Sequence, residues 1–429
     1  MTVEEIKAQL DYTLQNTVKQ TINNYVKIVK FDPMIQGRFK KNLFSEMIDV
    51  TGNVDWHRDS VSITDVDLTN TLIYIDRVYG LTNEKTLMSA IRSVSNDDNF
   101  HPIRDKLNSF KWDGKPRIRN CLHKFLGAKE EDYTYEALKL FLLGAINRVF
   151  YPGIKYEYML CLAGGQGVGK SSFVRFLTLQ DEWFTDDLSN LGDENVYRKL
   201  QGHWIIEMSE MLATSTAKSV EAIKSFISRQ KETYKIPYDR FPKDRNRQCV
   251  FAGTSNSLDF LPFDRTGNRR FIPVLCDGAQ AECHVLEDEN ASREYITQVW
   301  AEAMVIFRAG NFELKPSQSM NEYLDEHMKD FMPEDTVAGE LQGWLDNYEG
   351  DMVCTKMLAI ECLRLTDPPR FRLREIADAL RNSVTGWQAT DKTYRFVGYG
   401  PQKAWKRIQP KHDEKGFMKV TDQMELPFD

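Results

Sequence analysis

Three features of the 429-residue sequence predict an α/β fold with a buried parallel sheet. Four short apolar runs, "YMLCLA", "HWIIEM", "CVFAGTS" and "RFIPVLC", alternate with helix-like segments from residue 156 onward. The runs are apolar almost throughout, the pattern of strands covered on both faces. The first of them ends in a glycine-rich bend, "GGQGVGKS", and a second apolar stretch at helical spacing follows directly. A strand that feeds a helix before the next strand is what parallel pairing requires.

Taken in order, Ile6, Leu10, Leu14, Val18 and Ile22 recur at helical spacing, so residues 3–29 read as one helix, broken by "FDPM" (31–34). Turn-rich and apolar segments then mix up to about residue 110, and 1–110 is expected to be a mixed, mainly helical N-terminal region. "SFKWDGKPR" (109–117) is a connector. "TYEALKLFLLGAINRVF" (134–150) reads as an amphipathic helix stopped by "YPG". The core is placed at 111–310 and closes with a helical stretch at 292–309. Residues 311–429 are expected to form a C-terminal domain in which "FRLREIADALRNSVTGW" makes a helix, a turn and a helix start. The strand-like "YRFVGYG" follows, a succession that is winged-helix-like.

Composition bounds the partners. No apolar run approaches the roughly 20 residues that span a bilayer, and the N-terminus lacks the apolar core of a signal peptide. A cytoplasmic protein is expected. Seven scattered cysteines form no CxxC pair, so buried thiols are expected rather than a zinc ribbon. The net charge of -7 hides an asymmetry: residues 370–411 hold ten Lys or Arg against three Asp or Glu. A basic C-terminal module on an acidic body follows.

The bend satisfies GxxxxGK[ST]. Glycines let backbone N–H groups turn inward onto phosphate oxygens. Gly164, Gly165, Gln166, Gly167, Val168, Gly169, Lys170, Ser171 and Ser172 are therefore the candidate nucleotide contacts. Lys170 is expected at the β- and γ-phosphates and Ser171 on Mg²⁺. The helix N-terminus adds its favourable dipole. ATP or GTP binding is the expectation.

Phosphoryl transfer also needs an acid at the metal, a group that positions water, and positive charge at the leaving phosphate. "HWIIEMSEM" supplies Glu207 and Glu210 at a strand end; Glu207 is assigned to the metal and Glu210 to the water, with the order left open. Asn256 ends a further strand and could meet the terminal phosphate. Arg269 and Arg270 precede the next strand, where either could serve as an arginine finger toward a neighbouring subunit. Phosphate loop, acid strand, Asn strand and arginine follow one another as in ring-forming ATPases.

On these residues, with "HPIRDKLNSFKWDGKPRI" (101–118) and "KSFISRQKETYKIPYDRFPKDRNRQCVFAGTSN" (224–256), the sequence resembles the virulence-associated protein E family of phage and mobile-element replication proteins. That family is similar to superfamily-3 helicases. The resemblance implies an AAA+-like P-loop ATPase core, ATP and Mg²⁺ as ligands, a hexameric ring, and a DNA helicase acting in replication. It makes Glu207 and Glu210 the Walker B acids, Asn256 the sensor, and Arg269 or Arg270 the finger. No zinc-finger motif or primase acid triad accompanies it. An ATP-driven helicase loader, or a DNA-bound switch without unwinding activity, is the alternative.

Residues 224–247 hold eight Lys or Arg against three acids, interleaved with aromatics. Cations grip DNA phosphates and aromatic rings stack on bases. Lys224, Arg229, Lys231 and Lys235 are the candidate DNA contacts, on an insertion that in superfamily-3 proteins resembles a channel hairpin. Single-stranded DNA is the expected ligand there. In the C-terminal module Arg372, Arg374, Arg381, Lys392, Arg395, Lys403, Lys406 and Arg407 are candidates for duplex phosphates.

Overall fold

Two helices, α1 (Val3–Lys7) and α2 (Ile22–Phe31), occupy the stretch expected to be one helix over 3–29. The interruption is local. Asn16 takes φ 59°, a left-handed conformation that a helix cannot continue through. The Thr13 and Thr17 hydroxyls bond to each other at 2.7 Å, and Thr21 then caps α2 at Asn24 N. Threonine side chains offer the backbone an alternative to helix. Leu14, one of the periodic apolar residues, stays fully exposed. The structure is a computed structural model and describes residues 1–188, 191, 196–209, 217–234, 242–261, 268–332 and 335–408, with 217–220 as backbone only.

The N-terminal region continues through β1 (Phe39–Asn42), β2 (Ile48–Val50), α3 (Asp65–Tyr79), α4 (Glu84–Asp97) and β3 (Asn99–Phe100). Its strands form a small sheet in the order β2-β1-β3, so helices here pack with a sheet as well as with each other. Tyr25, Ile28, Ile75, Leu87 and Ile91 are fully buried in its core.

His101 opens α5 (Pro102–Ser109), its Nδ1 accepting from Arg104 N at 3.3 Å. With Nδ1 an acceptor, Nε2 carries the proton and donates to Gln248 Oε1 at 2.8 Å. Burial pushes this imidazole down to about 4. The neutral ring is thus favoured by folding, so its contribution is complete above the unfolded value of about 6.5 and is lost as pH falls toward 4. Acidification from pH 7 to pH 5 is expected to remove roughly 2 kcal/mol through this group. Thermal melts of wild type and His101→Gln at both pH values check it: the variant should lose less on acidification, and equal losses would exclude His101 as the source.

The core follows as α6 (Ile118–Leu126), α7 (Asp132–Phe150), β4 (Met159–Gly164), α8 (Lys170–Leu177), β5 (Phe184–Thr185), α9 (Val196–Leu200), β6 (Ile205–Ser209) and α10 (Ala217–Ile227). Then come the antiparallel pair β7 (Lys231–Tyr234) and β8 (Lys243–Asn246), then β9 (Val250–Ser255), β10 (Phe271–Cys276), α11 (Glu289–Ala309) and α12 (Gln318–His327). Five strands pair in parallel in the order β10-β4-β9-β6-β5. Every residue of β4 and β9 is buried, as continuous apolar runs require. Helix α7 packs against β4, β9, α6 and α11, and is buried around most of its circumference rather than along one stripe. Gly144 permits this: a Cβ there would sit 2.3 Å from the Tyr156 ring. Trp204 and Trp300 stack at 4.6 Å in the centre, their indole N–H groups donating to the carbonyls of Ala145 and Leu177.

The chain divides into two compact units, the first holding residues 1–260 and 269–328 and the second the described residues that remain. The second contains α13 (Thr336–Asn347), β11 (Met352–Cys354), α14 (Thr355–Met357) with a π turn through Cys362, α15 (Arg370–Asn382), β12 (Trp387–Phe396) and β13 (Gly400–Arg407). Its antiparallel sheet runs β11-β13-β12 over a core that includes Leu341, Val353, Ile376 and Trp405. Arg407 turns inward, its guanidinium 4.6 Å from the Trp387 ring centre and donating to Tyr348 O at 2.6 Å. Among the described residues, no helix is long and apolar enough to cross a membrane.

Candidate functional site

Between β4 and α8 the chain turns on glycines that no other residue could replace without strain. Gly167 and Gly169 take φ of +81° and +94°, where a side chain is strained. A Cβ on Gly164 would lie 2.1 Å from Cys276 O on the neighbouring strand. The bend therefore forms only with these glycines. It delivers Lys170, buried, to the mouth of the loop. There its Nζ donates to Gly164 O at 2.6 Å, Gly165 O at 2.7 Å and Asn256 Oδ1 at 3.1 Å.

The C-terminal ends of β4, β9 and β6 lie side by side, with Ala163 beside Ser255 and Thr254 beside Ser209. Ligands of open parallel sheets bind at this edge. Ser171 Oγ donates to Glu207 Oε1 at 2.6 Å, and Thr254 Oγ1 donates to the same oxygen at 2.5 Å. Glu207 is fully buried, and its Oε2 has no hydrogen-bond partner among the described residues. A buried carboxylate oxygen left bare is costly unless a cation takes it. Ser171 and Glu207 thus suit a hard divalent cation such as Mg²⁺, which prefers oxygen ligands.

Thr254 was not among the residues singled out from sequence. The available signal was spacing: it stands two residues before Asn256, and alternate residues of an extended segment share a face. Ser172 sits next to Ser171 in the first turn of α8, while Gly165 and Gln166 are exposed in the bend. Glu210 lies outside the described residues.

The two arginines are not equivalent. β10 pairs with β4 so that Phe271 lies beside Met159 and Cys276 beside Gly164. Arg269 and Arg270 therefore stand at the opposite end of the sheet from the bend, roughly 20 Å away at the rise of a strand. Arg270 Nε donates to Ser228 Oγ at 2.9 Å and to Glu157 Oε2 at 3.3 Å. Arg269 is exposed, and among the described residues its side chain has no ion pair.

The basic insertion forms the β7–β8 pair, with Lys231 beside Asn246 and Tyr234 beside Lys243. Lys231 is 61% exposed and ion-paired to Asp244. Lys224 is buried on α10 with its ammonium 3.3 Å from Glu221, so it belongs to the root of the insertion. Arg229 donates to Tyr197 Oη and lies 5.6 Å from the Phe226 ring centre. Lys235 lies outside the described residues. The root is held by a buried Arg247–Glu232 pair, and Glu46 of the N-terminal region meets both Lys243 at 2.6 Å and Arg245 at 3.2 Å.

A five-stranded parallel sheet flanked by helices, with a glycine bend leading into α8, makes this an α/β protein with a P-loop-like core. Residues 107–333 match the virulence-associated protein E-like domain. That is more than half of the chain, which belongs to this family. Solved structures of the NrS-1 C-terminal region are more distantly similar. The apo structure of its residues 305–718 is 15% identical over 86% of this chain and 95% of that one, with a TM-score of 0.44. Its A form is 14% identical over 91% and 100%, with a TM-score of 0.48. No curated protein matches the chain.

Proposed function

We propose that this chain is an ATP-dependent DNA helicase or translocase of the superfamily-3 kind, serving replication of a phage or mobile element as a homo-oligomeric ring. The convergence of Lys170, Asn256, Ser171, Glu207 and Thr254 at one edge of the parallel sheet carries the proposal. The order β10-β4-β9-β6-β5 supports an AAA+-like core, because the strand entering the bend lies next to the Asn256 strand and two positions from the Glu207 strand.

In this function Lys170 exchanges its carbonyl partners for phosphate oxygens, and Ser171 and Glu207 hold Mg²⁺. The bound cation would neutralise charge on the β- and γ-phosphates. Asn256 keeps contact with Lys170 and thereby registers whether the terminal phosphate is present. Asn256 directly follows β9, and residues 247–249 alone join β9 to β8. A shift at the phosphate is in this way delivered to the basic hairpin, which grips single-stranded DNA through Lys231 and Lys235. In the second unit, the succession α13, β11, α14, α15 and the β12–β13 hairpin supports a winged-helix reading. Exposed Arg372 and Arg374 on α15 and Lys392, Arg395 and Lys403 on the hairpin would then meet duplex phosphates.

ATP hydrolysis measured with and without single-stranded DNA tests this. Stimulation of roughly tenfold is expected, within the usual range of coupling between two sites. The double variant Lys231→Ala with Lys235→Ala should lose both stimulation and strand separation. Equal rates with and without DNA would exclude a motor and leave the loader or switch.

A further inference from the structure

Beside the bend lies a cleft of about 290 Å³ that the proposed chemistry does not use. One wall is the backbone of the bend itself at Gln166, Gly167 and Val168; the other is the segment after β10, including Ala281 and His284, with Phe125 also lining it. The two walls are fitted to each other. A Cβ on Gly278 would come 3.3 Å from Val168 Cγ2, and one on Gly169 would come 3.0 Å from His284 Nε2. His284 Nδ1 accepts from Leu286 N at 3.2 Å, so its proton is on Nε2, which reaches Gly167 O at 3.2 Å. The imidazole is thus tied at both nitrogens, yet the residue remains exposed.

We propose that this cleft holds the nucleobase, with His284 as the residue against which the base packs. The inference rests on the phosphate-loop reading and extends it. A nucleotide whose phosphates occupy the bend has one end left to place, and this cleft shares Gln166, Gly167 and Val168 with the bend. The lining mixes apolar groups, Val168 and Phe125, with polar ones, Gln166 and His284. That mixture suits a flat heteroaromatic ring with a hydrogen-bonding edge. The volume sits near the lower end of ligand clefts, about 300 Å³, which admits one fused ring system rather than a larger ligand.

Titration calorimetry with two probes, ATP and inorganic tripolyphosphate, each with Mg²⁺, separates the base from the phosphates. His284→Ala is expected to weaken ATP binding roughly tenfold, the size of one lost base-stacking contact, and to leave tripolyphosphate binding unchanged. Ala281→Trp, which fills the cleft, should do the same, and thermal melting verifies that each variant is folded. Loss of both ligands in parallel, or unchanged ATP affinity in both variants, overturns the assignment. Lys170→Ala is the separate control and should lose both probes. Wild-type protein that binds neither probe would sink the phosphate-loop reading and the cleft assignment together.

Discussion

The Lys170→Ala variant is expected to lose ATP hydrolysis by a factor of about 10²–10³ in kcat/KM, the effect of deleting one preorganised donor at a developing charge. The side chain is only 6% exposed, and its ammonium already faces three oxygens in the loop mouth. A cation desolvated in this way loses little further freedom when phosphate oxygens replace the carbonyls, so its full electrostatic effect reaches the nucleotide. Stability should change far less. The Gly164 and Gly165 carbonyls each lose a donor, at about 1 kcal/mol apiece or below. Lys170→Arg should not rescue activity, because a planar fork does not substitute for a compact ammonium. Glu207→Gln offers the informative contrast. Its amide oxygen can still accept from Ser171 and Thr254, so folding should survive while Mg²⁺-dependent hydrolysis is lost. Steady-state ATPase assays and melting curves on the three proteins decide the matter; wild-type hydrolysis in Lys170→Ala would remove the phosphate loop from the mechanism.

Arg269→Ala is expected to reduce hydrolysis by roughly 10³-fold in the assembled state, the size of an arginine finger's contribution, with ATP affinity little changed. The argument is geometric. Arg269 lies at the far end of the sheet from its own bend, separated by the length of β10. It therefore lies out of reach of a phosphate in its own bend, so in the proposed ring its exposed guanidinium would act on a neighbouring subunit's nucleotide. Arg270→Ala should behave differently, because it breaks contacts to Glu157 and Ser228 within one chain. Its main effect should be a loss of about 1 kcal/mol in stability, typical of a partly buried ion pair. Mixing Arg269→Ala subunits into wild type gives the decisive reading. Hydrolysis should fall faster than the mutant fraction rises, whereas a proportional fall would place the finger elsewhere.

Much of the core was legible because its strands are covered on both faces and read as unbroken apolar runs. Edge strand β5 has only two residues and carries no such pattern. The helix expected over 3–29 had the right periodicity, yet Asn16 and the threonines around it favour a loop. The bend was readable residue by residue, since its glycines answer a local backbone demand.

Charge was the least legible property. Lys224, Arg270 and Arg407 look like surface cations in the sequence, but Lys224 is buried beside Glu221 one turn away, and Arg270 and Arg407 are engaged by groups that only folding brings near. Glu46 reaches Lys243 and Arg245 across nearly 200 positions of chain, and Thr254 meets Glu207 from the adjacent strand.

By itself the sequence determined the parallel core strands and the position of the glycine bend, because burial patterning and backbone freedom are properties of neighbouring residues. The tertiary structure alone decided that Glu207, beside Ser171, keeps one oxygen without a hydrogen-bond partner among the described residues, that Arg269 rather than Arg270 is exposed, and that a cleft opens next to the bend. Pairing and cavity shape depend on which distant segments the sheet order sets side by side, and no local stretch of sequence encodes that order.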